Sequence, residues 1–425
     1  MTRCLLVLRK ILFLIVLASV LASTTFAIGF DLTFGSGGKF MTSFADSGQP
    51  SCGGTSVFIQ PSGRIIVIGS HSQQGTTNRT SGIAIAGLTS GGLLDNTFGT
   101  GGKVLSWSAT FHRFPTKALV LGDGSLLVLH QMWESASANR PVIAKFTASG
   151  QPDTFDADLD LVANQTSPVT IAQASSGKIY AVVRNGDQHY LVRLNANGSR
   201  DTTFGTNGVR SLNLNRFSTQ PRVFALQELA GGKLLIAGTY QPMTSEGATF
   251  VARLDNDTNL DRSFGSQGAA RISIPYGSVQ GITLQVQPDG KVLIGGCWTF
   301  LGSTTLLFRL TTRGRLDANF GTGGVAQTNF NNTNVIRGIA LAPDGTIFVA
   351  GSSGAKALPP NQRLFVIRYS SAGISQGSIV TNFIGTREAG ASDILLQGDG
   401  RLLVAGFTQN AADDFLQLAV ARFNQ

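Results

Sequence analysis

The sequence predicts an all-β protein, a seven-bladed β-propeller of four-stranded antiparallel blades, and three observations lead to that prediction. Glycine accounts for 52 of 425 residues and charged residues for 13%, without a Gly-X-Y period, a composition typical of a protein made of turns rather than of collagen or coiled coils. A strand-turn-strand phrase recurs seven times along the chain. The two ends of the repeat array each hold the part of a repeat that the other end lacks.

The first repeated phrase predicts a β-hairpin. An apolar run meets a turn that ends in glycine and a second apolar run follows, as in Val286-Gln-Pro-Asp-Gly290-Lys-Val-Leu-Ile. The turn glycines stand at positions 63, 124, 177, 232, 290, 345 and 400. Proline presets φ for such a turn, aspartate caps the backbone and glycine takes the positive-φ position. Second strands such as Leu234-Leu-Ile-Ala are apolar at consecutive positions, which predicts that both of their faces are buried.

A third strand and a second turn phrase complete each repeat. Most third strands carry a basic residue at one fixed place, and the repeated arginines are Arg193, Arg253, Arg309, Arg368 and Arg422. The phrase Asp-x-x-Phe-Gly-x-x-Gly then leads to a fourth strand, with its aspartates at Asp31, Asp95, Asp201, Asp261 and Asp317. Two copies are degraded, one at Asp153 and one between Ser371 and Phe383. We expect the repeated arginines to be internal partners of the turn carboxylates.

The ends of the chain predict a closed ring. Residues Asp31 to Phe44 form a turn phrase and a fourth strand without the three strands that precede it elsewhere, and the chain stops at Gln425 after a third strand. The N-terminal strand is therefore expected to complete the last blade, which leaves no sheet edge unpaired at the seam. On this interpretation residues 28–425 form a single domain.

These motifs also resemble a known family. The recurring Leu-Asp-x-x-Phe-Gly-x-Gly-Gly, combined with Pro-Asp-Gly-Lys before an apolar run and glycine, is similar to the delta-60 repeat family of bacterial secreted β-propeller proteins. The likeness covers residues 31–425, and only the degraded copies at Asp153 and Ser371 depart from it. It implies the propeller fold and a compartment outside the cytoplasm, and it transfers no catalytic residue to this chain.

The first 27 residues have the pattern of a cleavable secretory signal peptide. Three basic residues precede the apolar run Ile11 to Leu21, and Thr25-Phe26-Ala27 has the small residues of a cleavage site. The run is shorter than the ~20 residues that span a bilayer. We therefore expect a secreted, periplasmic or cell-surface protein with no membrane span. Removal of the leader lowers the net charge from +9 to +6, and no Lys/Arg-rich run is present, so no nucleic-acid partner is expected.

The topology predicts two different faces of the ring. The first-to-second and third-to-fourth connections share one face, which holds both repeated phrases and is called here the repeat-turn face. The opposite, variable-loop face holds the connections that do not repeat, where arginine stands beside aromatic and amide side chains suited to sugars, carboxylates and other anions. The candidate ligand-binding residues on it are His112, Arg113, Trp133, Arg216, Arg222, Trp298, Arg337 and Arg387. As an alternative, aromatic residues such as Phe114 seal contacts between neighbouring blades.

Neither a metal site nor a cofactor site is predicted. All four histidines fall on the variable-loop face by topology, but no short ligand spacing such as His-x-x-x-His is present. The turn aspartates are what such turns require whether or not they bind calcium. The sequence also contains no Gly-x-Ser-x-Gly, His-Glu-x-x-His or Gly-x-x-x-x-Gly-Lys-Ser/Thr motif.

The functional prediction is a secreted, non-enzymatic binding or interaction module, a monomer, that presents its variable-loop face to a glycan or protein partner. One alternative is a secreted carbohydrate-active enzyme, a glycosidase or lyase, with its site at the mouth of the central channel. A glycosidase would need two carboxylates roughly 5–10 Å apart, and the acidic candidates in non-repeated loops are Asp46, Glu134, Asp160, Asp187, Glu246, Glu388, Asp413 and Asp414. A structural envelope component is a further alternative.

Overall fold

A computed structural model of the protein describes residues 28–44, 49–74, 79–106, 112–135, 138–161, 166–214, 221–240, 248–273, 279–298, 304–330, 333–354, 362–382, 386–410 and 415–425. The predicted signal peptide, residues 1–27, lies outside these ranges. The described residues form 29 β-strands, which make seven antiparallel sheets, the blades of a propeller. No helix in the described part of the chain is long and apolar enough to cross a membrane.

The strands follow the same order in every blade, from the innermost strand to the outermost. Blade 1 holds β3 Gln49–Ile59, β4 Ile65–Gln74, β5 Arg79–Leu88 and β6 Lys103–Ser106. Blade 2 holds β7 His112–Val120, β8 Leu126–Ser135, β9 Ala138–Phe146 and β10 Pro152–Asp158. Blade 3 holds β11 Thr166–Gln173, β12 Ile179–Asn185, β13 Gln188–Leu194 and β14 Val209–Leu212. Blade 4 holds β15 Pro221–Glu228, β16 Leu234–Tyr240, β17 Ala248–Leu254 and β18 Ala269–Ser273.

The remaining blades repeat this plan. Blade 5 holds β19 Val279–Val286, β20 Val292–Trp298, β21 Thr304–Leu310 and β22 Val325–Thr328. Blade 6 holds β23 Thr333–Leu341, β24 Ile347–Gly354, β25 Gln362–Tyr369 and β26 Ser375–Thr381. Blade 7 holds β27 Thr386–Leu396, β28 Leu402–Asn410 and β29 Leu416–Asn424, and it is completed by the N-terminal strands β1 Gly29–Phe30 and β2 Lys39–Thr42.

Closure by the N-terminal strand is confirmed. Strand β2 pairs antiparallel with β29, and β1 pairs with the end of the same strand, where Phe30 lies opposite Phe423. The two phenylalanine rings stack with their centroids 4.8 Å apart. The Asp31 carboxylate accepts a hydrogen bond from Arg422 Nε at 2.7 Å. Backbone pairing, ring stacking and an ion pair therefore join the two ends of the chain.

The hydrophobic core is divided among the contacts between blades. The buried apolar side chains of the described residues form seven clusters, one between each pair of neighbouring blades. In β16, Leu234 and Ile236 contact blade 3, whereas Leu235 and Ala237 contact blade 5. The prediction that second strands are buried on both faces is thus confirmed, because alternate side chains of one strand serve two neighbouring contacts.

The hairpin turns have the predicted conformation. The seven turn glycines all have φ between 79° and 86°, a region that favours glycine. The carboxylate of Asp344 accepts a hydrogen bond from the Thr346 amide at 2.8 Å, and Asp289 does the same for Lys291 at 3.1 Å. The turn aspartates therefore cap their own backbone, as the sequence predicted.

The repeated arginine and the second turn phrase form one structural unit. Arg253 Nε donates to Asp261 at 2.9 Å, and its guanidinium lies 4.7 Å from the centre of the buried Phe264 ring. Hydrogen bonds from Lys233 and Ser263, together with the charge of Arg253, hold the pKa of Asp261 well below its usual range. The same ion pair joins Arg193 to Asp201, Arg309 to Asp317 and Arg422 to Asp31. The predicted role of these arginines is confirmed in four blades.

Three blades depart from this unit in ways that follow from their sequences. In blade 1, Gly87 occupies the place of the arginine, and a side chain there would meet the Phe98 ring. The partner of Asp95 is instead Arg64 of the hairpin turn, whose Nε lies 2.6 Å from the carboxylate. Blade 2 pairs Lys145 with Asp153 at 3.1 Å. Blade 6 has lost the turn aspartate, so Arg368 donates instead to Gln376 at 3.2 Å. Both degraded phrases nevertheless lead into fourth strands, β10 and β26.

Candidate functional site

The innermost strand of every blade contains a β-bulge at the same level of the ring. These first strands contact one another around a central channel, and each shows a register shift against its second strand. A bulge leaves one residue unpaired and redirects its side chain. Counted from the hairpin glycine, the unpaired residue lies eight positions upstream. In six blades this residue lines a single cavity, and the six are Thr55, Thr116, Val169, Phe224, Arg337 and Ser392.

The cavity carries positive charge from four blades. It has a volume of about 480 Å³ and is lined by Lys117 of blade 2, Arg184 of blade 3, Arg222 of blade 4 and Arg337 of blade 6. No aspartate or glutamate is among its described lining residues, and none of the four cations forms an ion pair with a described carboxylate. The charged side chains in the described lining of the cavity are therefore all positive.

His189 contributes no charge to this cavity at neutral pH. The residue is buried in the cavity wall, and its Nε2 accepts a hydrogen bond from the Val223 amide at 3.4 Å. Burial, followed by the nearby charge of Arg184, lowers the pKa of His189 to about 4. The neutral ring therefore carries its proton on Nδ1, because Nε2 acts as the acceptor.

A half-buried carboxyl lies directly beside the cavity, at the seam of the ring. Asp393 follows the bulged Ser392 and accepts hydrogen bonds from the amide of Val57 at 3.1 Å and from that of Ile394 at 2.9 Å. Burial raises the pKa of Asp393, and the charge of Lys117 partly opposes this effect. The bond to Val57 joins blade 7 to blade 1. The sequence analysis did not identify Asp393. Its position was nevertheless a signal, because no other repeat has an acidic residue seven positions before its hairpin glycine.

The structure brings two of the sequence-predicted residues into the cavity. Arg222 and Arg337 come from different blades and both line it. The sequence analysis did not predict Lys117 and Arg184, because they lie within strands β7 and β12 and the predicted residues were those of the expected loops. A count of positions from each hairpin glycine would have placed Lys117 next to a bulge.

Three other predicted residues lie together in blade 2. His112 is opposite Trp133 in the pairing of β7 with β8, and Phe114 connects their rings. The Phe114 centroid is 6.2 Å from that of His112 and 5.3 Å from that of Trp133. Phe114 and Trp133 are 38% and 46% exposed, so neither is sealed in a contact between blades. Arg113 donates to Ser106 Oγ at 2.7 Å and links blade 2 to blade 1.

The remaining predicted residues are not brought to this cavity in the described structure. Arg216 lies outside the described residues, and Trp298 ends β20 with a side chain that is not described. Arg387 is exposed near the start of β27. Of the acidic residues considered for an enzyme, Glu134 pairs with Arg140 at 3.0 Å, and burial raises the pKa of Glu388. Those outside the described residues are Asp46, Glu246, Asp413 and Asp414.

Three of the four histidines are buried in separate blades. His71 is 3.3 Å from Cys52 Sγ in blade 1, and His130 is enclosed in blade 2. Burial, followed by the charge of Arg113, lowers the pKa of His130 to about 3. Within the described ranges, no group of three or more His, Cys, Asp or Glu residues is arranged to hold a metal ion.

Comparison with known families finds a match over four parts of the sequence. Residues 175–204, 232–264, 287–320 and 397–425 match the family model described as "Domain of unknown function (DUF5122) beta-propeller". The match supports a β-propeller repeat family, in agreement with the observed blades. None of the curated proteins matches the sequence.

Several solved structures are similar in fold at low sequence identity. A protein of unknown function from Dyadobacter fermentans is 14% identical, with a TM-score of 0.46 over 91% of this chain and 99% of its own. Drosophila Plexin A, solved with Semaphorin 1b, is 12% identical, with a TM-score of 0.48 over 90% of this chain and 86% of its own. An ulvan lyase is 11% identical, with a TM-score of 0.44 over 89% and 95%. We draw no functional conclusion from these likenesses.

Proposed function

We propose that this protein is a non-enzymatic binding module that takes an anionic ligand, part of a glycan or of a protein, into its central channel. The observation that carries the proposal is the convergence of Lys117, Arg184, Arg222 and Arg337 on one cavity whose described lining contains no carboxylate. Like charges that face one another in a concave site repel, and a bound anion removes that repulsion. The volume of about 480 Å³ is within the range of small-ligand sites.

The position of the cations supports entry from the variable-loop face. First strands begin at that face, and Arg222 comes two residues before the bulged Phe224 of β15. Arg184 stands near the end of β12, and His189 near the start of β13, where the strands meet the same face. The part of the cavity above the bulges is therefore the part richest in arginine.

Catalysis in this cavity is the second candidate function. A glycosidase would need a carboxylate pair, whereas a lyase that acts on acidic sugars would need a base beside cations. His189 next to Arg184 favours the lyase, but its Nε2 lone pair is occupied by the Val223 amide and its pKa is about 4. A ring in that state is a weak base, so we favour binding.

The proposal includes the cellular context that the sequence predicts. The leader pattern in residues 1–27 supports a secreted, periplasmic or cell-surface protein, and the match to a propeller repeat family is compatible with the resemblance to delta-60 proteins. The outer edge strands of the blades are short, as in β6 and β14 with four residues each, and such edges offer little backbone for pairing with a second copy, which supports a monomer. Fractionation of the native host and light scattering of the purified protein test these two points.

A binding screen tests the proposed function. The purified protein is applied to an array of acidic and neutral glycans and of acidic peptides, beside the double variant Arg222→Ala/Arg337→Ala. We expect binding to acidic ligands that falls at least tenfold in the double variant. The matched control is Arg262→Ala, an exposed arginine on the repeat-turn face, which should bind normally. Failure to bind any anionic ligand would refute the proposal, and consumption of a bound glycan would favour the enzyme.

A further inference from the structure

We propose that the anionic group that enters the channel is borne by a sugar ring, so that the ligand is an acidic oligosaccharide with uronate residues. This inference rests on the proposed function above and names the ligand class of the same site. Its basis is the juxtaposition of cationic and apolar side chains in one cavity.

The apolar part of the cavity is as well defined as the cationic part. Pro168, Val169, Val223, Phe224 and Ile336 line it together with the arginines. The Phe224 side chain is 42% exposed although it belongs to an innermost strand. Val223 and Ile336 are buried, whereas Pro168 and Val169 are partly exposed. Covering exposed apolar groups with a ligand is favourable because it removes them from water. An inorganic anion has no apolar surface with which to cover these groups, whereas a pyranose ring has C–H faces.

The bulges direct apolar and cationic side chains to the same level of the channel. Phe224 and Arg337 are the unpaired residues of their bulges in blades 4 and 6, and Arg222 stands two residues before Phe224. Guanidinium groups bind carboxylates through two parallel hydrogen bonds. A uronate residue has both a carboxylate for an arginine fork and a ring face for Phe224.

Two exposed aromatic residues of blade 2, which are not among the lining residues of the cavity, offer a contact for a second sugar residue. Phe114 stands ten positions before its hairpin glycine, the position that Arg222 occupies in blade 4. By this equivalence Phe114 lies at the variable-loop end of the channel, where it contacts the exposed Trp133. These rings provide a surface for a second residue of the same chain, which favours an oligosaccharide over a monosaccharide.

The test is titration calorimetry on the whole purified protein with five probes: a tetragalacturonate, galacturonate itself, the neutral tetragalactose of the same linkage, an acidic peptide and inorganic sulfate. We expect the tetragalacturonate to bind at least tenfold more tightly than the tetragalactose, the peptide or sulfate. Phe224→Ala should weaken tetragalacturonate binding about tenfold and leave sulfate binding unchanged. Arg337→Ala should weaken both, and Trp133→Ala should affect the tetrasaccharide but not galacturonate itself.

The outcomes separate this inference from the proposed function. If sulfate or an acidic peptide binds as tightly as the tetragalacturonate and Phe224→Ala changes nothing, the sugar inference is overturned while anion binding by the channel stands. If no anion binds, the proposed function fails as well. Because Phe224 is 42% exposed, its truncation leaves the core intact, and a circular dichroism spectrum of the variant verifies this.

Discussion

Arginines of the repeat-turn face and arginines of the channel have opposite surroundings in this molecule. Arg253 and Arg309 lie 2.9 Å from turn aspartates and cover buried phenylalanine rings. Arg222 and Arg337 face a cavity without a carboxylate in its described lining. The first kind recurs from blade to blade, and the second does not. The comparison teaches that the repeated arginines have a structural role here, whereas Arg222 and Arg337, which stand outside the repeat, face the cavity and are available to a ligand.

The largest expected effect is loss of a turn carboxylate. Asp317→Ala removes the partner of Arg309, and both side chains are 7% exposed, so the variant should lose about 3 kcal/mol of unfolding free energy because a nearly buried cation is left unpaired. Asp289→Ala is the matched control, since this aspartate is 53% exposed and should cost less than about 1 kcal/mol. Urea denaturation measures the unfolding free energy of both variants. Equal losses in the two variants would contradict the structural role of the arginines on the repeat-turn face.

Acid should lower the unfolding free energy through the buried histidines before it affects the turn carboxylates. The pKa values of His130 and His189, about 3 and about 4, lie below the ordinary value of 6.5. The unfolded chain therefore takes up protons first, and stability falls as pH drops from about 6.5 toward 4. The turn carboxylate of Asp95 has a pKa of about 2, lowered by Thr97 and then by Arg64. Its contribution is lost only below pH 4.

A single substitution isolates the contribution of His130 to the pH dependence of the unfolding free energy. His130→Leu keeps the volume of the buried side chain and removes its titration. Between pH 7 and pH 5 the variant should lose about 2 kcal/mol less unfolding free energy than the parent protein. Denaturation curves at the two pH values provide the measurement, and the pH 7 curves serve as the internal reference. An identical pH dependence in both proteins would show that folding does not lower the pKa of His130.

The smallest expected effect on stability comes from the channel arginines. Arg222→Ala/Arg337→Ala should leave the unfolding free energy unchanged or raise it by up to about 1 kcal/mol at low salt, because it removes mutual repulsion and breaks no ion pair. Added salt should reduce any such increase in unfolding free energy. The same urea measurement applies, and a loss of more than about 2 kcal/mol would show that these arginines stabilise the free protein.

The sequence was sufficient for the architecture because each element had a local physical cause. Pro-Asp-Gly required a turn, and the missing fourth strand after Phe423 had its counterpart at Lys39–Thr42. Blade 1 is the instructive exception: no arginine stands in its third strand, and the structure supplies Arg64 from the hairpin instead. Sequence patterns described the kinds of interaction better than they described which residue makes each one.

The site was only partly predictable. Arg222 and Arg337 were identified by residue type, but alternation along a strand does not reveal which side chains enter the channel, because a bulge reverses the direction of everything that follows it. Lys117, one residue after the bulged Thr116, therefore lines the cavity although strand periodicity gives no reason to expect it there. Burial of Asp393 depends on the contact with Val57 across the seam, which no local pattern contains.

Because the bulges are arranged in a ring, the bulged residue of one blade can change ligand recognition without affecting those of the other blades. Six blades each contribute one unpaired side chain to the lining of the cavity, and the hairpin hydrogen bonds on either side do not depend on its identity. A change at Thr55 or Ser392, for instance to arginine, would alter the charge in one sector of the opening and leave the other sectors unchanged. A propeller built in this way can acquire a new ligand one blade at a time, without a new fold and without rebuilding its loops.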